Sequence, residues 1–315
     1  MKIALITPAA PGSRHGNRGT ATRWAAMLRE LGHTVSTQVD WDGRATDLML
    51  ALHARRSAAS IRNYVMCYSD QPLILALTGT DLYRDIRTDE EAQASMQVAT
   101  RMIVLQDMGL AELAPPLRKK TRVVYQSAPV VKRPPPLKSC FEIVVSGHLR
   151  DEKDPFRAAA ALTHLPAASR IRVTHVGGAM SDEMTREARD WMAREKRYHW
   201  LGEVTHGKAL RLLARGRLMV ISSRMEGGAN VVSEALANNV PVIASRVSGN
   251  IGMLGKDYVG YYALENERAL ARLLARAEND RDFYQKLASQ CRARKPRVSY
   301  AAERNALRRV LDEIS

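Results

Sequence analysis

The chain has only three cysteines in 315 residues, Cys67, Cys140 and Cys291, and no C-x-x-C pair among them. That scarcity excludes a disulfide framework and a thiolate metal site, and it suits a reducing, cytoplasmic setting. Aromatic residues make up 5% of the chain, too few for the stacking platforms that hold single-stranded nucleic acids. With no nucleic-acid motif in view, the formal net charge of +15 reads as cations spread along helices such as residues 268–281, and no nucleic-acid partner is expected. No apolar run reaches bilayer length, and residues 3–6 are too few for a signal-peptide core, so no membrane span is expected. His148, His175, His199 and His206 are dispersed without the spacing of a metal-ligand pair. Gly12, Gly16 and Gly19 fall at intervals of four and three, which is not the dinucleotide-binding G-x-G-x-x-G.

What is present is alternation. Strand-length apolar runs at 2–7, 34–38, 48–52, 73–77, 102–105 and 122–125 are separated by helix-length segments, the pattern of a parallel, doubly wound sheet. A proline-rich stretch, APVVKRPPPLKS at 128–139, can neither continue a helix nor donate to a sheet and reads as a semi-rigid linker. The alternation restarts at 142–146, 172–176, 198–201, 218–222, 240–244 and 258–262, followed by one or two helices over 265–292 and a last one over 300–314. The expected organisation is a first α/β domain at 1–127, the linker at 128–139, a second α/β domain at 140–296, and a terminal helix at 297–315.

The segment 225–245, MEGGANVVSEALANNVPVIAS, sets Glu226 and Glu234 eight residues apart around a glycine pair and a helix start. Asn230 suits the start, Val231, Ala235 and Leu236 make an apolar stripe, and Asn238 and Asn239 end it. In such a strand, loop and helix unit, the backbone of Gly227, Gly228 and Ala229 and the first-turn amides form a binding place for a phosphate oxygen. Glu234, one turn inside on the face of Asn230, would be repelled there unless it accepts hydrogen bonds from neutral hydroxyls such as a ribose diol. Glu226 would face the sugar.

Other constellations are weaker. Gly12, Arg14, His15, Gly16 and Arg18 have the composition of a phosphate cradle after the first strand. Thr78, Gly79 and Thr80 follow the strand at 73–77, at the carboxyl end where ligands of open parallel sheets bind. Asp81 beside them reads equally as an N-cap. In GHLRDEKDP at 147–155, His148, Arg150 and Lys153 stand between a strand and a helix start, although a mixed-charge solvated turn has the same composition.

The sequence E-G-G-A-N-V-V-S-E-A at 226–235 resembles the E-x7-E motif of family 4 glycosyltransferases. That resemblance implies the GT-B fold, two Rossmann-like doubly wound domains facing a cleft, with the terminal helix crossing back to the first. It also implies that Lys153 matches the family's diphosphate-binding lysine in G-R-L-x-x-x-K. His148 occupies the family's arginine position, so Arg150 either replaces that arginine or the donor grip is weaker. Gly202 and Val204, in LGEV at 201–204, resemble the loop whose backbone reads the nucleobase. Thr78 stands where related transferases often carry a histidine. Asp40-Trp41-Asp42 is a formal D-x-D, set aside because GT-B enzymes generally stabilise the leaving diphosphate without a metal; no metal or cofactor is expected.

ITPAAPGSRHGNRGTATRW at 6–24, TGTDLY at 78–83 and GHLRDEKDP are similar to one branch of the family, the selenosugar synthases of selenoneine biosynthesis. This implies transfer of N-acetylglucosamine from UDP-N-acetylglucosamine to selenophosphate, with Glu226, Lys153 and Arg150 catalytic, Arg14, Arg18 and Arg23 as candidates for holding the anionic acceptor, and a functional link to a selenophosphate-producing enzyme. Two alternatives stand beside it. One is a transferase acting on a lipid or polysaccharide hydroxyl, for which ARRSAASIRNYVMCY at 54–68 is a basic and apolar candidate surface. The other is a basic binding protein on a non-catalytic transferase fold.

Overall fold

The computed structural model describes residues 1–13 and 16–314. The chain divides into two compact units, one formed by Met1–Gln126 with Tyr300–Ser315 and the other by Ser127–Ser299. Among the described residues no helix is long and apolar enough to cross a membrane.

The first unit holds β1 (Lys2–Ile6), β2 (Thr34–Gln38), β3 (Leu48–Leu52), β4 (Leu73–Leu77), β5 (Arg101–Val104) and β6 (Thr121–Val123). They form one sheet in the order β2-β1-β3-β4-β5-β6, and every pairing is parallel. Successive side chains of a strand point to opposite faces, and here both faces are covered. Ile3, Leu5, Leu50 and Ile74 pack with Trp24 and Leu28 of the helix Gly16–Glu30 and with Leu307 and Val310 of the helix Tyr300–Asp312. Ala4, Ile6, Met49 and Leu75 pack on the other side with Tyr64 and Leu82. Burial on both faces is why β3 and β4 read as continuous apolar runs.

The helix Tyr300–Asp312 is anchored by a buried charge. Glu303, 1% exposed, accepts the Trp24 indole N–H at 2.7 Å and the Arg23 Nε–H at 2.8 Å. Glu313 beyond it accepts from Arg101 and Arg122, each at 2.8 Å.

The second unit holds β7 (Phe141–Ser146), β8 (Ile171–Val176), β9 (Tyr198–Trp200), β10 (Leu218–Ile221), β11 (Val242–Ser245) and β12 (Tyr261–Tyr262), in the order β12-β11-β10-β7-β8-β9, again all parallel. The strand expected over 258–262 shrinks to its last two residues. Tyr258 is buried with its hydroxyl on the backbone of Val242, so it serves as packing beneath β11 and cannot extend the ladder. The apolar periodicity over 265–292 becomes two helices, Glu267–Asn279 and Arg281–Arg294, broken at Asp280, whose carboxylate caps the second through the Phe283 amide at 2.9 Å.

Residues 128–139 are counted in the second unit. Asn238 holds them with its side-chain amide, accepting the Val131 N–H at 2.9 Å and donating to the Pro129 carbonyl at 3.0 Å. Arg133 donates to the Ala214 and Gly216 carbonyls at 2.9 and 3.1 Å. Side chains supply the partners that prolines deny to a sheet.

Removing the Glu303 carboxylate takes the hydrogen-bond partner from the buried Trp24 indole N–H and one partner from the Arg23 guanidinium. Glu303→Ala is expected to lower the stability of the first unit by about 3 kcal/mol, the low end for a broken buried pair, read as a shift in the urea midpoint. No shift would show that the buried Glu303 carboxylate adds nothing to the other contacts of the helix Tyr300–Asp312.

Candidate active site

The strand order of the second unit reverses at β7 and β10: β8 and β9 extend the sheet one way from β7, and β11 and β12 extend it the other way from β10. In open parallel sheets the crevice outside the carboxyl ends at such a reversal is where ligands bind. Here it is a small hollow lined by residues of the two departing segments, Gly147, His148 and Lys153 after β7 and Ser222 and Ser223 after β10, with Val231 of the following helix.

Glu226 is the centre of this arrangement. It is 8% exposed, so its charge needs partners. Lys153 Nζ donates to Oε1 in direct contact, and the Ser223 hydroxyl donates to the same oxygen at 2.5 Å. Behind it lies a second layer. The Ser245 hydroxyl donates to the Ser223 carbonyl at 2.7 Å, and Asn250 Nδ2 donates to the Ser245 carbonyl at 3.0 Å. Gly249, in the helix Ser248–Leu254, approaches so closely that a Cβ would overlap the Glu226 carbonyl oxygen.

Lys153 is held as firmly. It ends the turn Asp151–Lys153, and the next residue, Asp154, is in the left-handed region at φ 44°, which aspartate tolerates better than most residues. The Ser222 hydroxyl donates to the Asp154 carbonyl at 2.8 Å, and the Arg224 amide donates to the Glu152 carbonyl at 2.9 Å. The segments after β7 and β10 are thereby tied together over about seventy residues of sequence.

Gly227, Gly228 and Ala229 lead into the helix Asn230–Ala237, for which Ala229 is the N-cap residue and Asn230 the first helical one. Asn238 and Asn239 end it, Asn239 at φ 56°. Glu234 meets His206: its Oε1 accepts from Nε2 at 2.7 Å. That bond raises the His206 pKa above the ordinary histidine range.

The Gly147 loop rests on a buried histidine. His175 Nε2 donates to the Gly147 carbonyl at 3.3 Å, and the Tyr198 hydroxyl donates to Nδ1 at 2.9 Å, because a carbonyl can only accept. Burial pushes the His175 pKa down to about 4, so near neutral pH the ring is uncharged, with its one proton on Nε2 and Nδ1 accepting. Gly177 closes the other side; a Cβ there would overlap the Gly147 carbonyl oxygen.

Several residues marked in the sequence stand apart from the hollow. Arg150 is exposed and leans toward Glu152, Nε to Oε2 4.0 Å; it does not line the hollow that His148 and Lys153 line. His148 is half-buried, and its Nδ1 is enclosed without a partner. Gly202, at φ 67°, and Val204 follow β9, an edge strand separated from β10 by β7 and β8. The Gly202 carbonyl accepts the Gly177 amide at 2.9 Å.

In the first unit, Arg14 and His15 lie outside the described residues. Gly12 turns at φ 80°, but Gly16 and Arg18 are already helical, so the glycine-bearing loop is shorter than its composition suggests. Arg23 is engaged by Glu303. Asp81 does not act as an N-cap for the residues after it. Its carboxylate, fully buried, reaches back to the amides of Thr78 at 3.0 Å and Gly79 at 2.7 Å and across to that of Ala54 at 3.1 Å. These amides are thereby taken, and Thr80 keeps its hydroxyl on the carboxyl side of β4.

Ser223, Ser245, Asn250 and Gly249 were not legible as site residues. Ser245, Asn250 and Gly249 are brought to the Glu226 loop by tertiary packing, and Ser223, three residues before Glu226 in the same loop, has no pattern that marks it.

Two doubly wound parallel sheets, each in its own unit, with the polar groups gathered at the carboxyl ends of the second, make this the GT-B fold. Three solved structures superpose over nearly the whole chain. HepE of Anabaena in complex with UDP-glucose has a TM-score of 0.78 at 15% identity, covering 99% of this chain and 100% of that one. The sucrose-phosphate synthase of Thermosynechococcus elongatus has a TM-score of 0.76 at 17% identity, covering 100% and 99%. A glycosyltransferase from Rickettsia africae has 0.77 at 13%, covering 99% and 98%. No curated protein matches the chain in sequence. The profile of the glycosyl transferases group 1 matches residues 133–294, just over half of the chain, and the chain belongs to that family.

His175 gives the site a pH signature. Its folded pKa lies below the unfolded value, so the stability it contributes is present above the unfolded pKa of about 6.5 and is lost as pH falls through about 4. The full loss is roughly 3 kcal/mol at about 1.4 kcal/mol per pH unit. Urea midpoints between neutral pH and pH 4 are expected to fall more steeply for the native protein than for His175→Gln; equal slopes would mean that the ring is protonated in the folded state.

Proposed function

We propose that this group 1 glycosyltransferase moves N-acetylglucosamine from UDP-N-acetylglucosamine to the selenium of selenophosphate. The C1–O bond to UDP breaks, a C1–Se bond forms, and later hydrolysis of the Se–P bond releases phosphate and leaves a 1-seleno sugar. The observation that carries the transferase reading is the contact of Lys153 and Ser223 with Glu226 at the reversal of the second sheet, beside the amino end of Asn230–Ala237. HepE, crystallised with UDP-glucose on a superposable fold, supports a UDP-sugar as donor. The selenium acceptor rests on the likeness of the segments at 6–24, 78–83 and 147–155 to selenosugar synthases.

In this reading C1 passes through an oxocarbenium-like transition state, and the catalytic task is to hold the negative charge growing on the diphosphate. Lys153, the backbone of Gly227 to Ala229 and the positive end of the helix dipole meet that charge. Glu226 accepts from the sugar hydroxyls while keeping Lys153 in place. Glu234 accepts from the ribose diol, and His206, its pKa raised by that carboxylate, offsets a negative charge that would otherwise repel the diphosphate. Arg150, on the exposed side of the turn, lends long-range charge only. Val204 and the Gly202 backbone read the base.

Selenophosphate is anionic and its selenium is a soft nucleophile, so a cationic pocket can replace a general base. Arg18, half-buried in the helix Gly16–Glu30, is the acceptor cation proposed among the described residues.

Anaerobic incubation with UDP-N-acetylglucosamine, with and without selenophosphate, followed by UDP assay and mass spectrometry of the sugar, tests the reaction. A seleno sugar formed only with both substrates is expected. Donor binding with no product from selenophosphate would shift the acceptor to a lipid or polysaccharide hydroxyl. Lys153→Ala is expected to cost about 2.7–4 kcal/mol of barrier, a hundredfold or more in kcat; a loss below about threefold would remove Lys153 from the role.

A further inference from the structure

The first sheet has a reversal of its own. In the order β2-β1-β3-β4-β5-β6 the chain reverses at β1 and β3, so the segments leaving their carboxyl ends border the crevice where an open parallel sheet takes ligands. β3 leaves directly into His53, whose φ of 77° is left-handed, a conformation uncommon outside glycine and found disproportionately at functional sites. The backbone is fixed there from both sides. Its amide donates to the Ala76 carbonyl at 2.8 Å, and its carbonyl accepts the Ser57 amide at 3.1 Å.

The ring, 3% exposed, has a defined tautomer. The Arg56 amide lies 3.3 Å from Nδ1, and a backbone N–H only donates, so Nδ1 is the acceptor. The proton of the neutral ring is then on Nε2, which donates to Thr80 Oγ1 at 3.1 Å. Burial, with the Arg56 charge, lowers the His53 pKa against the opposing pull of Asp81 and Asp85 and keeps the ring neutral. Those carboxylates stand 4.0 Å from Nδ1 and 3.9 Å from Nε2. They are engaged elsewhere, Asp81 by the three amides of the adjoining loops and Asp85 by Arg84 at 3.0 Å.

Thr80 therefore receives a hydrogen bond, and among the described residues no group is found accepting its own hydrogen. Across the crevice, the pairing of Ile6 with Ala51 sets the next residue, Thr7, opposite Leu52, immediately before His53. Thr7 is fully buried and its hydroxyl has no partner.

We propose that His53 is a positioning residue that holds the Thr80 hydroxyl as a hydrogen-bond donor to an oxygen, phosphate-type or hydroxyl, of a substrate bound at the reversal of the first sheet. The residue keeps a backbone conformation that glycine would adopt without strain, and glycine would carry no side-chain N–H donor to fix the Thr80 hydrogen. The proposal rests on the glycosyl transfer proposed above, and its test separates the two.

His53→Gly, His53→Gln and Thr80→Val are compared with the unsubstituted protein in Tm and in steady-state kinetics, varying UDP-N-acetylglucosamine and selenophosphate in turn. His53→Gly relieves the left-handed backbone but empties a buried ring site, so its Tm is measured alongside; it is expected to raise the KM of one substrate about tenfold, the loss of one hydrogen bond. Thr80→Val is expected to raise the same KM by a similar factor, and the double variant to go no further. His53→Gln, which restores a donor nitrogen, is expected to recover most of the loss. Whichever KM moves identifies the oxygen, on the acceptor if it is that of selenophosphate and on the sugar donor if it is that of the nucleotide sugar. Unchanged KM values, additive effects in the double variant, or a kcat loss that merely follows Tm would each overturn the proposal while leaving transfer intact. An unsubstituted protein that turns over neither substrate would overturn the transferase reading and this proposal with it.

Discussion

Glu226 is a carboxyl group carried into a place with little water, and much of the second unit is arranged to give it partners there. Burying an unpaired carboxylate costs more than most domains have to spare. Lys153 supplies the opposite charge and Ser223 a hydroxyl. Each is itself fixed, Lys153 through Ser222 and the left-handed turn at Asp154, and Ser223 through Ser245 and Asn250. Gly249 is needed because the backbone of Glu226 occupies the volume of a side chain at that position. A buried ion pair adds little to stability over an apolar packing of the same shape. The pair stands where the strand order of a parallel sheet reverses, the place at which open sheets take ligands.

The two units solve the same architectural problem with different chemistry. Both wind helices over the two faces of a parallel sheet, and both leave a crevice where the strand order reverses. In the second unit that crevice carries a cation, a carboxylate and the amino end of a helix, a set suited to an anion and a polyol. In the first it carries a neutral histidine, two threonines and a buried aspartate whose oxygens are already filled by backbone amides. Asp81 works as a clasp between the segments after β3 and β4. It takes the amides of Thr78 and Gly79 and leaves the Thr80 hydroxyl as the polar group of that turn bonded to His53.

Most strands were legible in the sequence as short apolar runs, and eleven of the twelve have both ends within two residues of where those runs are. The exceptions have physical causes. Gly16 and Arg18 look like loop composition, yet they form the first turn of a helix whose apolar stripe begins only at Ala21. Tyr258 looks like strand composition, yet its hydroxyl is bound to the backbone of the neighbouring strand. Arg150 and Lys153 look equivalent three residues apart, but the turn Asp151–Lys153 brings only the lysine into the hollow.

The sequence by itself determined the alternation that makes two doubly wound sheets, the glycine pair and helix start that follow β10, and the spacing of Glu226 and Glu234, because all of these are local patterns of burial and backbone freedom. Tertiary structure alone decided which charges meet. Glu226 finds Lys153 from seventy-three residues away and Glu234 finds His206 from twenty-eight. Arg23, a candidate in the sequence for holding the anionic acceptor, is engaged by Glu303, and His53, which nothing in the sequence singled out, reaches Thr80 because β3 and β4 are neighbours. Hydrogen bonds and ion pairs act over a few ångströms of space, and only the packing of sheets and helices converts distance along the chain into that proximity.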